Sequence, residues 1–316
     1  MTDNRRPFGV PRWLRLTLGL LLVAASLYFL LSRLVRDWNQ IPFDKLHFSA
    51  IWLVASFAVL VFAHFPIYGW LWSSILRTLG ARVPVLRATV VTAVSNVGKY
   101  APGKVWFTVG RMALVKSYGV SEAKCLASVV LEIIITLLGG VILLGFAVLL
   151  LPASQVPWPV YSLFLLTPLC LVLLIPKVFN RLLAVGLRWF RQPPFELRLP
   201  FSSLLGLVGI CLLDWVAQGV GSYLLLRSFY PLPLSSLPTL LGGYAISWMI
   251  GFLVLVVPAG LGVRESIYTI VLKMAIPGPL AVIAALTTRV WQTLGELLAA
   301  LIGLALLRAV KWRNDG

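Results

Sequence analysis

The chain has 316 residues, 60% of them hydrophobic and only 12% charged, with a mean hydropathy of +0.95, where soluble domains carry about 45–50% apolar and about 25% charged residues. That composition excludes a soluble globular protein. A bilayer-spanning helix uses about 20 residues, so the apolar material suffices for roughly six to nine crossings. The formal charge of +17, from 27 Lys and Arg against 10 Asp and Glu, does not point to nucleic acid, because the cations cluster beside apolar runs. The clusters are Arg5, Arg6, Arg12 and Arg15; Arg77, Arg82 and Arg87; Lys177, Arg181, Arg188, Arg191 and Arg198; and Arg308, Lys311 and Arg313. Cytoplasmic loops of membrane proteins carry such excess positive charge and touch anionic headgroups with it. The expectation is one polytopic domain over 1–316 in the cytoplasmic membrane, with both termini cytoplasmic.

In chain order, the basic start and the run 13–31 are expected to form a retained first span, because the run is long and no small-residue cleavage site follows it. Further full spans are predicted near 50–76, 123–151, 157–176, 200–226 and 279–307, in addition to the first at 13–34. Two regions, 86–120 and 235–276, are long enough for two half-crossings but are broken by Pro and Gly, at 98–104 and at 257–264. With six full spans and both ends on one side, each broken region must return to the side it left. Both are therefore expected to be re-entrant helical hairpins, making an all-α protein whose spans would be counted as seven or eight.

The same order of elements recurs with reversed direction in 13–151 and 157–307. Inverted repeats with interrupted helices at matching positions characterise transporters that bind substrate near the bilayer midplane.

Gly98, Gly103 and Lys104 have the spacing of a phosphate-binding loop, but Val105 stands where a metal-binding hydroxyl is needed and Pro102 removes a backbone N–H, which excludes nucleotide binding. Two readings of this break stand side by side. A helix starting near Pro102, flanked by Lys99 and Lys104, offers free N–H groups to an anionic phosphate. Alternatively, Lys99, Lys104, Arg111 and Lys116 anchor the hairpin at the interface. The second break, with Pro258, Gly260 and Gly262, leads into Arg264 and Glu265, whose adjacent side chains point to different faces and need separate partners.

Glu132, Asp214, Arg289 and Glu296 lie inside predicted spans, where each ionisable group costs about 2.5–3.5 kcal/mol on insertion scales. Helical spacing puts them on polar stripes: Ser128, Glu132, Thr136 and Gly139; Asp214, Gln218, Gly221 and Ser222; Arg289, Gln292 and Glu296. The stripes are expected to face an interior cavity, with a purely structural ion network as the alternative. His64, beside Pro66, reads as a packing histidine, and most of the 12 Trp are expected in interfacial belts. Cys125, Cys170 and Cys211, with only His47 and His64 beside them, make neither a disulfide framework nor a metal site, and no cofactor is expected.

The run Asn96, Tyr100, Pro102, Gly103 and Lys104, followed by Gly110, Arg111, Gly119, Ser128 and Glu132, resembles the lysylphosphatidylglycerol synthase transmembrane-region family. So do the segment 258–265 and Arg289. The resemblance covers nearly the whole chain and implies a flippase-like membrane domain that moves lipids between leaflets. In that family a separate soluble domain makes aminoacyl-phosphatidylglycerol; nothing here corresponds to it, so aminoacyl transfer is not carried over. Many relatives have Arg where this chain has Ile133, which leaves the partner of Glu132 to be found.

The leading expectation is thus a lipid translocase for a phosphate-bearing lipid, such as an anionic or aminoacylated phospholipid or a polyprenyl-phosphate lipid. The alternative is a non-transporting partner of a lipid or cell-envelope glycan transferase. An enzyme is not expected, since no paired carboxylates, His-rich cluster or Gly-x-Ser-x-Gly nucleophile is present. Arg264, Arg289, Glu132 and Glu265 are expected to converge near the midplane, with Asp214 and Glu296 on the same path. Lys104 and Arg111 are expected to guard the cytoplasmic approach.

Overall fold

A computed structural model describes residues 43–100, 106–150, 166–189, 200–254 and 260–309, together with Tyr28, Ser32, Val35 and Arg36. The described residues form helices and no strands. The predicted first span at 13–34, apart from Tyr28 and Ser32, and the break residues Pro102, Gly103, Lys104 and Pro258 lie outside the described residues. Of 157–176, the described part includes a short helix, Leu166–Leu174.

We number the principal helices α1 (Ala50–Thr78), α2 (Val85–Asn96), α3 (Trp106–Val115), α4 (Glu122–Leu149), α5 (Leu166–Leu174), α6 (Pro176–Trp189), α7 (Phe201–Arg227), α8 (Leu237–Leu253), α9 (Val263–Leu272) and α10 (Gly278–Ala309). Five stretches are long and apolar enough to cross a membrane: Ala50–Thr78, Glu122–Leu149, Phe201–Arg227, Leu234–Leu253 and Gly278–Arg308. Four coincide with predicted spans. The fifth, Leu234–Leu253, is the first leg of the region expected to make two half-crossings, and by length and composition it suffices to cross.

α2, α3 and α9 have 12, 10 and 10 residues, well below the ~20 needed for a crossing, so each must pack against a partner. Glycines show how. A Cβ on Gly110 would stand 3.4 Å from Ser95, and one on Gly98 only 2.7 Å from the Phe107 nitrogen. As α3 advances α2 recedes, which makes the two an antiparallel hairpin. In the same way Gly251 lies on Arg264 and Gly243 on Val271, so α8 and α9 form a second antiparallel hairpin. Small residues permit this close approach where apolar surroundings provide no hydrophobic drive between helices. The second turn also needs glycine: Gly260 and Gly262 have φ of 68° and 80°, a region costly to other L-residues. A Cβ on Gly260 would come within 2.8 Å of the Gly251 carbonyl oxygen.

α1 is not a uniform helix. It widens to a π-turn over Leu60–His64, immediately before Pro66, which offers no N–H to the Phe62 carbonyl and crowds it. A wide turn is one way to absorb that mismatch, and such turns recur at functional positions. His64 closes the wide turn and is buried.

The polar stripes face inward. Ser128, Glu132, Asp214, Gln218, Ser222, Gln292 and Glu296 are all buried. Trp72, Trp215 and Trp291 are among the most buried side chains of the described residues, whereas Trp70 and Trp106 are exposed. The indole N–H of Trp72 donates to Ser128 Oγ at 3.0 Å and that of Trp215 to the Thr136 carbonyl at 3.0 Å. A buried ring whose N–H finds a partner has no need of the interface.

Candidate functional site

A cavity of about 370 Å³ opens between the two hairpins, with α1, α4, α7 and α10 completing its wall. Its charged and ionisable lining comprises His64, Lys99, Glu132, Arg264 and Glu296, set among Tyr68, Phe107, Trp215, Trp248 and Phe252. A second space of about 20 Å³ adjoins it through Arg264 and Gln292 and is walled by Glu265, Arg289, Tyr244 and Tyr268.

Each carboxylate has a particular cationic neighbour. Glu132 of α4 receives two hydrogen bonds from Arg111 of α3, at 2.5 and 3.3 Å, and a third from the Tyr68 hydroxyl of α1. Arg111 is only 1% exposed and its guanidinium sits 5.0–5.6 Å from the ring centres of Trp72, Tyr68 and Phe107. The expectation that Arg111 guards the cytoplasmic approach is therefore replaced. It lies behind Glu132, enclosed by aromatic faces that stabilise a cation. The question raised by Ile133 is answered too, since the partner of Glu132 comes from the neighbouring helix while Ile133 lines the cavity.

Glu296 of α10 accepts from Lys99 at 2.6 Å, from the Tyr100 hydroxyl at 2.7 Å and from Gln292 at 3.0 Å. The lysine and tyrosine belong to the 3-10 turn Val97–Tyr100 that follows α2, so this pair ties the first hairpin to the last helix. Lys99 is thus directed to a buried carboxylate. Asp214 of α7 stands behind the lining, with His64 Nδ1 at 2.6 Å from one oxygen and Gln218 donating to the other at 3.0 Å. Tyr244 in turn donates to Gln218 at 3.3 Å. His64 is therefore more than packing. Arg289 Nε lies 3.2 Å from Glu265 Oε1, joining α9 to α10.

The adjacent residues 264 and 265 have different surroundings, as their helical positions require. Glu265 faces Arg289, whereas Arg264 lines both spaces with its guanidinium 5.9 Å from the centre of the Tyr244 ring. Among the described residues no carboxylate forms an ion pair with Arg264. The structure thus brings Glu132 and Arg264 to one cavity, places Glu265 and Arg289 in the adjoining space, and sets Glu296 opposite with Lys99. Sequence reasoning passed over Tyr68, which lies one helical turn after His64, and Tyr100 beside Lys99; their spacing from ionisable residues was the available signal.

Helices of this length around a polar interior define a multi-pass helical membrane protein. The chain belongs to the lysylphosphatidylglycerol synthase TM region family, whose model matches residues 16–300. No curated protein matches the chain.

Removing one member of a buried, hydrogen-bonded ion pair strands the other charge, at about 3–5 kcal/mol. Arg111→Met is therefore expected to destabilise the protein by about that amount, lowering its unfolding temperature in detergent, while Arg111→Met with Glu132→Met recovers most of the loss. An additive double variant would show that the two residues are not energetically coupled.

Proposed function

We propose that the protein is a lipid translocase of the cytoplasmic membrane that passes a phosphate-bearing headgroup through the cavity between its two hairpins, without chemical change to the lipid. The observation that carries this reading is Arg264: a cation on the cavity wall, beside a helix break, that makes no ion pair with a carboxylate among the described residues. A phosphate is the natural complement of such a guanidinium. The cavity volume falls within the range of small-ligand sites, which suits a headgroup while the acyl chains remain among the apolar outer faces of the helices. Membership of a lipid-related family supports the same reading.

In this proposal the two halves are an inverted repeat, with α2, α3 and α4 corresponding to α8, α9 and α10. Three features support the correspondence. In each half two helices form an antiparallel hairpin followed by a long helix. The second hairpin helix has 10 residues in both. Each half has a charge pair between that short helix and the long one, with the signs exchanged: Arg111 to Glu132, and Glu265 to Arg289. The hairpins are re-entrant in this reading, the first dipping from the cytoplasm and the second from outside, with both termini cytoplasmic.

Two experiments test the proposal. Single cysteines in a Cys-free variant, treated with a membrane-impermeant thiol reagent, should label from outside at Pro277 or Pro279 and from the cytoplasm at residues 77–87; cytoplasmic labelling at Pro277 contradicts the inverted repeat. In proteoliposomes carrying leaflet-reporter phospholipids, the protein should exchange at least one of anionic, aminoacylated or polyprenyl-phosphate lipids faster than empty vesicles do. Arg264→Gln should reduce that exchange at least tenfold without loss of folded protein. Exchange no faster than in empty vesicles, for all three classes, would favour a non-transporting partner of a lipid or glycan transferase.

A further inference from the structure

The pair His64 and Asp214 has a position that the ion pairs around it do not share. His64 is the middle residue of Ala50–Thr78, and Asp214 is the middle residue of Phe201–Arg227. They meet, at 2.6 Å, halfway along two apolar stretches that occupy equivalent places in the two proposed halves. One partner, His64, lines the cavity. It also stands at the end of the π-turn, where the helix departs from regular geometry.

Charge balance gives this position a consequence. Among the described residues, the cationic side chains that line the two spaces or pair with their lining are Lys99, Arg111, Arg264 and Arg289. The carboxylates that do so are Glu132, Asp214, Glu265 and Glu296. With a neutral imidazole, the four positive and four negative charges cancel. An anionic headgroup entering this set leaves one uncompensated negative charge at mid-depth, which a low-dielectric surrounding penalises heavily. Histidine is the side chain whose ordinary range allows it to take up a proton near neutral pH, and here its Nδ1 lies 2.6 Å from the Asp214 carboxylate.

We infer that His64 and Asp214 form a proton-binding site that takes up one proton when a singly charged anionic headgroup enters the cavity. The inference rests on the translocase reading and supplies its driving force. Nδ1 of His64 donates to Asp214, which leaves Nε2 to accept the proton. Every element around the imidazole contributes to the balance: Tyr68 on its own helix, Glu132 of α4, Asp214 of α7, Arg264 of α9, Arg289 and Glu296 of α10, and Lys99 of the first hairpin turn. The groups already matched in pairs stay charged, and the histidine supplies the variable charge. Proton and anion then cross together with no net charge moved, so a pH gradient drives transport and a membrane potential does not.

The test uses two independent readouts. The chain has two histidines, so a His47→Gln variant, purified without a histidine tag and labelled with ¹⁵N-histidine, reports on His64 alone. In phosphatidylcholine nanodiscs its ring-nitrogen signals should move toward the imidazolium pattern as the pH is lowered. Adding phosphatidylglycerol at fixed pH should drive them further in that direction. Signals that ignore both pH and phosphatidylglycerol overturn the proton site, whatever the protein transports.

In proteoliposomes with fluorescent phosphatidylglycerol, an imposed pH gradient should bias the leaflet distribution at least threefold, and a potassium diffusion potential should leave it unchanged. His64→Asn keeps a donor near the Nδ1 position but cannot take up the proton, so it should abolish the pH-driven bias while the protein remains folded. A bias that survives in His64→Asn, or that follows the potential, overturns the coupling but leaves the translocase reading standing. If no lipid of any class exchanges, the translocase reading fails, and the nitrogen signals alone decide whether proton uptake is linked to anion binding.

Discussion

Burying charge in an apolar surrounding is the constraint on which this protein is built. Among the described residues, four carboxylates and four cations cluster in the interior of a largely apolar helical protein, and the arrangement is tolerable only because most of these groups meet a partner at short range. The pairs also determine which helices must touch. Arg111 and Glu132 hold the first hairpin to α4, Glu265 and Arg289 lie between α9 and α10, and Lys99 with Tyr100 fastens the turn after α2 to Glu296 of α10. Because misplacing any of these helices would strand a charge, the network favours one packing over others of similar apolar complementarity. Arg264 departs from the pattern: it lines both spaces beside the Tyr244 ring and, among the described residues, makes no ion pair with a carboxylate.

The backbone follows the same economy. At the start of α9, glycines at positive φ let the chain pass against the backbone of α8, with Gly260 packed on Gly251. The close contact of Gly251 with the Arg264 side chain, where a Cβ would stand 2.1 Å from Cγ, shows that the site and the hairpin packing are one construction. A larger residue at 251 would displace the guanidinium directly. Placement of a cation beside an interrupted helix is therefore achieved by steric fit as well as by electrostatics.

Much of this was legible in the sequence because the physics involved is local. Apolar runs of sufficient length identify α1, α4, α7 and α10, and spacing of three or four residues places Glu132 with Ser128, or Glu296 with Gln292, on one inward face. Pairing is not local. Lys99 and Glu296 are 197 positions apart and His64 and Asp214 are 150 apart, so their partnership depends on how helices pack, which no periodicity encodes. Arg111 illustrates the resulting error: a cation near a hairpin end reads as an interface anchor until three aromatic rings and a carboxylate are seen to enclose it. Nor does residue type alone place a tryptophan, since indole rings are favoured at interfaces and also accommodated inside when the N–H is satisfied, as at Trp72 and Trp215. Leu234–Leu253 was read through the break that follows it, not through its own length.

The central claim is that Arg264 holds the phosphate of a lipid headgroup inside the cavity. Native mass spectrometry of the protein in mild detergent, comparing the unaltered chain with Arg264→Gln, tests it most directly. The account predicts that the unaltered protein retains a phosphate-bearing lipid through detergent exchange and that Arg264→Gln releases it while keeping its native charge-state distribution. Identical lipid retention by the two proteins would contradict the claim.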